Sequence, residues 1–211
     1  MLDWNKDVVQ LLYRVNSLRK WNPNLKLPEY SIEALLASNK EWIISYLPEV
    51  KKPQDLRKID LKEIAHSVVD DFNNIYNSKR GININLKTNG SKEYIVLGIE
   101  NRIEQIMANL LDNAVSFSQN NQKIDVELIK DKKGQILLKI IDEGVGFKEN
   151  DTNKIFKRFY SNRPEKFGEH SGLGLNIVKN LVDLHNGVIS ASNNKGQKGA
   201  RVEILFPKVE T

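Results

Sequence analysis

The sequence predicts an α/β fold: a two-layer sandwich of a mixed sheet with helices on one face, preceded by a small helical hairpin. Three observations predict it. Six short runs rich in branched residues read as strands. Three longer segments carry apolar residues at helical spacing. The two kinds do not alternate as a chain of βαβ units would. With 211 residues the chain has material for one good core and a small appendage.

The appendage is residues 1–55. Trp4, Val8, Leu11, Val15 and Leu18 recur at spacings of four and three, close to a heptad seam. Asn22-Pro23-Asn24 breaks that pattern, and Ile32, Leu35, Leu36, Ile43 and Leu47 form a second helical run. Pro48 and Lys51-Lys52-Pro53-Gln54-Asp55 read as a linker. Two short helices with apolar stripes need a partner surface, which is either a second copy of the hairpin, giving a homodimer through 1–55, or the domain that follows.

That domain is 56–211. A helix is expected over 61–79, then strands over 82–86 and 94–97, with Asn89-Gly90 between them as a hairpin turn. A helix over 100–118 carries Ile103, Ile106, Met107, Leu110, Leu111 and Ala114. Strands follow at 124–129 and 135–141, the second with Lys139 inside an apolar run. Leu173, Leu175, Ile177, Val178, Leu181, Val182 and Leu184 mark a third helix over 174–186. Strands at 187–192 and 200–206 close the domain. Between 147 and 171 only 152–160 looks helical. So long a polar connection reads as a mobile lid, with Phe156, Phe159 and Tyr160 anchoring it and Arg158, Arg163 and Lys166 as candidates for phosphate oxygens.

Three motifs carry chemistry. Asn109 and Asn113, four apart, share one face of the second helix. An amide oxygen is a hard, neutral ligand that suits Mg²⁺, an ion held by few protein oxygens plus substrate phosphates. In Asp142-Glu143-Gly144-Val145-Gly146, Asp142 ends a strand, where its carboxylate can accept a hydrogen bond from an exocyclic amine such as adenine N6. Gly144 and Gly146 let backbone approach a flat base. In Ser171-Gly172-Leu173-Gly174-Leu175, the glycines open the third helix, whose free N–H groups and positive dipole end suit phosphate. No Walker loop is present, and no strand leads directly into Gly-x-Gly-x-x-Gly.

In this order, the motifs resemble the ATP-binding catalytic domain of sensor histidine kinases, a fold shared with DNA gyrase and the mismatch-repair and heat-shock ATPases. The resemblance covers residues 58–208. The N box is similar to residues 109–118, the first glycine box to 142–146, the F box to 155–160 and the second glycine box to 172–175. Leu184-His185-Asn186-Gly187 and the closing Gly199…Phe206-Pro207 also resemble the family. The resemblance implies an ATP site formed by Asn109, Asn113, Asp142, Gly144, Gly146, Arg158, Arg163, Gly172, Leu173, Gly174 and Leu175, with Mg²⁺ served by Asn109 and Asn113. It implies a protein histidine kinase, a transferase of two-component signal transduction and phosphorelay, which passes the γ-phosphoryl group of Mg-ATP to a histidine. The implied partners are a response regulator or a phosphoacceptor domain.

One position separates this reading from its superfamily relatives. ATP-hydrolysing branches place Glu where this chain has Asn109. Neither Asn109 nor Gln105 one turn earlier can act as a general base. A site without a base suits a nucleophile that needs none, such as a neutral imidazole. Two departures stand out: Ser116 and Ser161 occupy positions where the family carries phosphate-facing cations. No histidine has the acceptor context. His66 lies in the first helix of the domain, His170 in the lid and His185 at a helix end. A non-catalytic phosphotransfer or scaffold adaptor with a degenerate ATP fold is therefore the first rival, and a gyrase-type ATPase switch the second.

Composition bounds the rest. The absence of cysteine excludes disulfides and thiolate metal sites. The net charge of +5 is spread along the chain; it suits an anionic nucleotide, and no basic helix points to nucleic acid. No run of about eighteen apolar residues is present to span a membrane, and Met1-Leu2-Asp3-Trp4 lacks the order of a secretory leader. The expected location is cytoplasmic, alone or as the soluble part of a longer membrane sensor.

Overall fold

The computed structural model describes residues 56–148, 152–157 and 174–209. The chain divides into two units, Met1–Gln54 and Asp55–Thr211, and every described residue falls in the second. The expected hairpin of 1–55 and its seam lie outside the described residues. The elements run β1 (Arg57–Asp60), α1 (Leu61–Arg80), β2 (Asn83–Thr88), β3 (Ile95–Gly98), α2 (Glu100–Phe117), β4 (Lys123–Lys130), β5 (Ile136–Asp142), a 3₁₀ turn (Thr152–Phe156), α3 (Gly174–Leu184), β6 (Val188–Asn193) and β7 (Ala200–Phe206).

Five strands form the main sheet in the order β2-β4-β5-β7-β6. β2 runs parallel to β4 and every other pair is antiparallel, so the sheet is mixed as expected. Period-two alternation decides which face is covered. Ile124, Val126 and Leu128 of β4 are buried, as are Ile136, Leu138 and Ile140 of β5 and Ile204 and Phe206 of β7. They share one core with the apolar stripes of three helices: Leu61, Ile64 and Val68 of α1, Ile103, Ile106 and Leu110 of α2, and Val178, Leu181 and Val182 of α3. The opposite face explains Lys139. It stands in register between Glu127 of β4 and Glu203 of β7, with its Nζ 3.5 Å from Glu203.

Helix ends are built locally. Asp60 caps α1 by accepting from the Lys62 N–H at 2.9 Å, and its carboxylate also takes the Tyr94 N–H. Gly81 ends α1 in the left-handed region at φ +63°, where a Cβ would collide with Asn121. The N-cap position of α2 is Ile99, whose side chain cannot cap. The buried His185, just past the end of α3, instead accepts the Ile99 N–H at Nε2 (3.1 Å), while its Nδ1 lies 2.6 Å from the Leu181 carbonyl.

Three expectations are corrected. The Asn89-Gly90 turn does not join a hairpin, because β2 and β3 lie in different sheets. Asn89 instead fastens β2 to β4: its Nδ2 donates to the Lys130 carbonyl, and its Oδ1 accepts from the Lys130 N–H and the buried Tyr94 hydroxyl. β3 pairs antiparallel with β1, a strand the sequence hid because Arg57-Lys58-Ile59-Asp60 has no alternation to read. The helix expected over 152–160 is a 3₁₀ turn over Thr152–Phe156, with residues 158–160 outside the described set.

Candidate functional site

Asp142 has the parity of the core-facing residues of β5 and pairs with Ile124, so its carboxylate is carried inward at the strand's end. It is 7% exposed. Its Oδ1 accepts from the Gly144 N–H at 2.8 Å and the Ala200 N–H at 3.1 Å. Its Oδ2 accepts no hydrogen bond among the described residues. Burial raises the carboxyl pKa above the ordinary aspartate value, and the two amides pull it back. The arrangement leaves one lone-pair-bearing oxygen for a donor from outside.

The glycines around it clear close approaches. A Cβ on Gly144 would stand 2.6 Å from the Phe117 carbonyl oxygen, so the loop after Asp142 lies against the last residue of α2. Gly146 adopts φ +75°, and its Cβ would stand 2.7 Å from Asn193 Oδ1. The β6–β7 turn completes the support. Asn194 donates to the Asp142 carbonyl at 2.8 Å, and Gly199 packs so tightly on that carbonyl that no side chain fits.

On α2, Asn109 and Asn113 are both half-buried. The Asn113 Nδ2 is enclosed without a hydrogen-bond partner among the described residues. A Cβ on Gly174, the first residue of α3, would lie 3.8 Å from it. An enclosed amide with an unspent donor at a helix N-terminus is the feature expected of an anion subsite. Phe117 is one turn beyond Asn113, so α2 links the carboxylate end of the site to the amide end. Arg158, Arg163, Lys166, Gly172 and Leu173 lie outside the described residues. Leu175 packs against the core, which is a structural use for that position.

The neighbouring candidates sort by geometry. Ser116 gives its hydroxyl hydrogen to the Asn113 carbonyl at 2.7 Å. Gln105 accepts from Arg102. Burial, then Glu100 and Asp71, raise the Glu104 pKa, which places Glu104 toward α1 rather than toward Asn113. His66 is exposed on α1, and His185 is spent on two backbone groups. No cluster of three acidic or histidine ligands stands among the described residues. Protein donors of the amide kind fit a magnesium ion held mostly by phosphate oxygens and water. Asn193 and Asn194 were missed in the sequence, where Asn-Asn before Lys-Gly reads only as turn chemistry.

The family described as histidine kinase-, DNA gyrase B-, and HSP90-like ATPase matches residues 98–210, more than half of the chain. The chain belongs to this family. It is similar to the sensor protein ChvG of Rhizobium meliloti (strain 1021), at 36% identity over 164 residues, covering 72% of this chain and 28% of that protein. The chain thus spans less than a third of the length of that curated relative. Among solved structures, the mycobacterial sensor histidine kinase MprB matches with a TM-score of 0.61 at 24% identity, over 72% of this chain and 97% of that one. The full-length ShkA structure, a complex with AMPPNP, matches with a TM-score of 0.63 at 19% identity, over 96% of this chain and 45% of that one. At these identities the structures speak for the fold, which is the histidine-kinase-type ATPase fold that the motif order implied.

Proposed function

We propose that this chain is the catalytic part of a protein histidine kinase, which binds Mg-ATP and passes its γ-phosphoryl group to a histidine on a phosphoacceptor domain, for onward transfer to a response regulator. One observation carries the reading. A buried carboxylate with a spare oxygen and an enclosed amide with a spare donor stand at the two ends of one helix-lined site. Asp142 accepts from the adenine amine, and the glycine-cleared backbone of 144–146 lies along the base. Asn113 and Asn109 meet the phosphate end, with Arg158 and Arg163 as further phosphate contacts and the Gly172–Gly174 stretch as the anion-binding helix start. Magnesium, when bound, neutralises charge on the transferring phosphoryl group, and the chain contributes position and electrostatics. Neither Asn109 nor Gln105 one turn earlier can act as a base, which suits attack by a neutral imidazole. Residues 1–55 serve as a dimerisation segment, and the protein works in the cytoplasm, alone or as the soluble part of a longer membrane sensor.

Incubation with γ-labelled ATP and a hairpin carrying an acceptor histidine tests this. Label on that hairpin or on this chain supports the kinase. Nucleotide binding without label favours an adaptor, and brisk phosphate release without phosphoprotein favours an ATPase switch.

A further inference from the structure

The β6–β7 hairpin end holds both sides of the base-binding surface at once. Asn193 is the last residue of β6 and pairs in register with Ala200 of β7. Ala200 gives its N–H to the Asp142 carboxylate. Asn193 gives its side chain to the glycine loop: its Oδ1 accepts the Phe147 N–H at 2.6 Å, and its Nδ2 donates to the Phe147 carbonyl at 2.8 Å. The carboxamide thus exchanges two hydrogen bonds with the backbone of Phe147, as facing residues of a hydrogen-bonded antiparallel pair do. Nearby, the Thr152 hydroxyl donates to the Ala191 carbonyl of the same strand. Gly146 lies so close to Asn193 Oδ1 that any side chain there would break the clamp. The glycine at 146 thus answers to Asn193 as well as to a bound base. Asn193 itself is exposed and touches no core residue through these bonds.

We infer that Asn193 is a positioning residue for adenine. It sets the distance between the backbone of 144–147 and the Asp142 carboxylate, and so the width of the slot a purine enters. This rests on the proposed nucleotide reading and assigns a specificity role to a residue outside its motifs.

The test measures ADP affinity of the full chain by calorimetry, well below the melting temperature, alongside thermal melting and competition with GDP. Asn193→Ala is expected to weaken ADP about tenfold, the effect of losing a hydrogen-bonded clamp, with a reduced preference for ADP over GDP and little change in melting. Asn193→Asp keeps the acceptor for the Phe147 N–H and is expected to lose less. An Asn193→Ala chain that binds ADP within about twofold of the wild type, whatever its melting temperature, overturns this inference alone. A wild-type chain that does not bind ADP overturns the nucleotide reading and this inference with it.

Discussion

Asp142 illustrates how one side chain can oppose stability and serve binding. Burial raises its folded pKa above the unfolded value. The folded state therefore disfavours the ionised form, and stability falls as pH rises from the unfolded aspartate range through the folded pKa. Asp142→Asn keeps an oxygen for Gly144 and Ala200 and removes the charge. It is expected to raise the melting temperature at neutral pH while weakening ADP binding by about 2 kcal/mol, roughly thirtyfold, because an amide NH₂ then faces the adenine amine. Paired melting and calorimetry read both effects, and a variant that binds ADP like the wild type would remove Asp142 from the site. The same protonation predicts that wild-type ADP affinity declines as pH falls through the raised pKa. At the other end, Asn113→Ala is expected to abolish Mg²⁺-dependent nucleotide binding, and wild-type affinity in calorimetry with and without the ion would refute that role.

At the scale of elements, His185 joins α3 to the start of α2. Burial lowers its pKa, and the Leu181 carbonyl partly restores it. The Ile99 N–H requires an unprotonated Nε2. Because the folded pKa lies below the unfolded value, this clasp stabilises fully above about 6.5 and weakens as pH falls below it. Urea midpoints of the wild type and His185→Gln between pH ~7 and ~5 isolate the effect: their difference is expected to shrink as the wild type loses stability. A difference independent of pH would show that the ring merely fills space. Such a contact was hidden in the sequence, since a lone histidine near a helix end looks the same whether it titrates in water or holds a distant amide. The helices themselves were legible because their apolar stripes are long. The β2–β3 relation was not: Asn89-Gly90 carries local turn chemistry, but Asn89 is fastened to Lys130, far along the chain.

Across the whole molecule, one core serves sheet and helices together. Leu111 is fully buried in it. Leu111→Ala is expected to cost about 2–5 kcal/mol, read as a drop in denaturant midpoint, and a change below about 1 kcal/mol would place α2 outside the cooperative core. The main layers and the carboxylate, amide and glycine positions could be read from period and motif order. The turn that braces them could not, because Asn193 and Asn194 act on residues about fifty positions away.

The parallel pairing of β2 with β4 also bears on how the chain assembles. β4 and β5 meet across the short turn around Gly134, whereas Asn83 must find Lys123 only after the intervening ribbon strand and helix have been laid down. Loop-closure entropy makes the first meeting fast and the second slow. The edge strand at β2 is thus expected to dock after the β4–β5 hairpin during refolding, onto a nucleus that already contains the carboxylate-bearing strand.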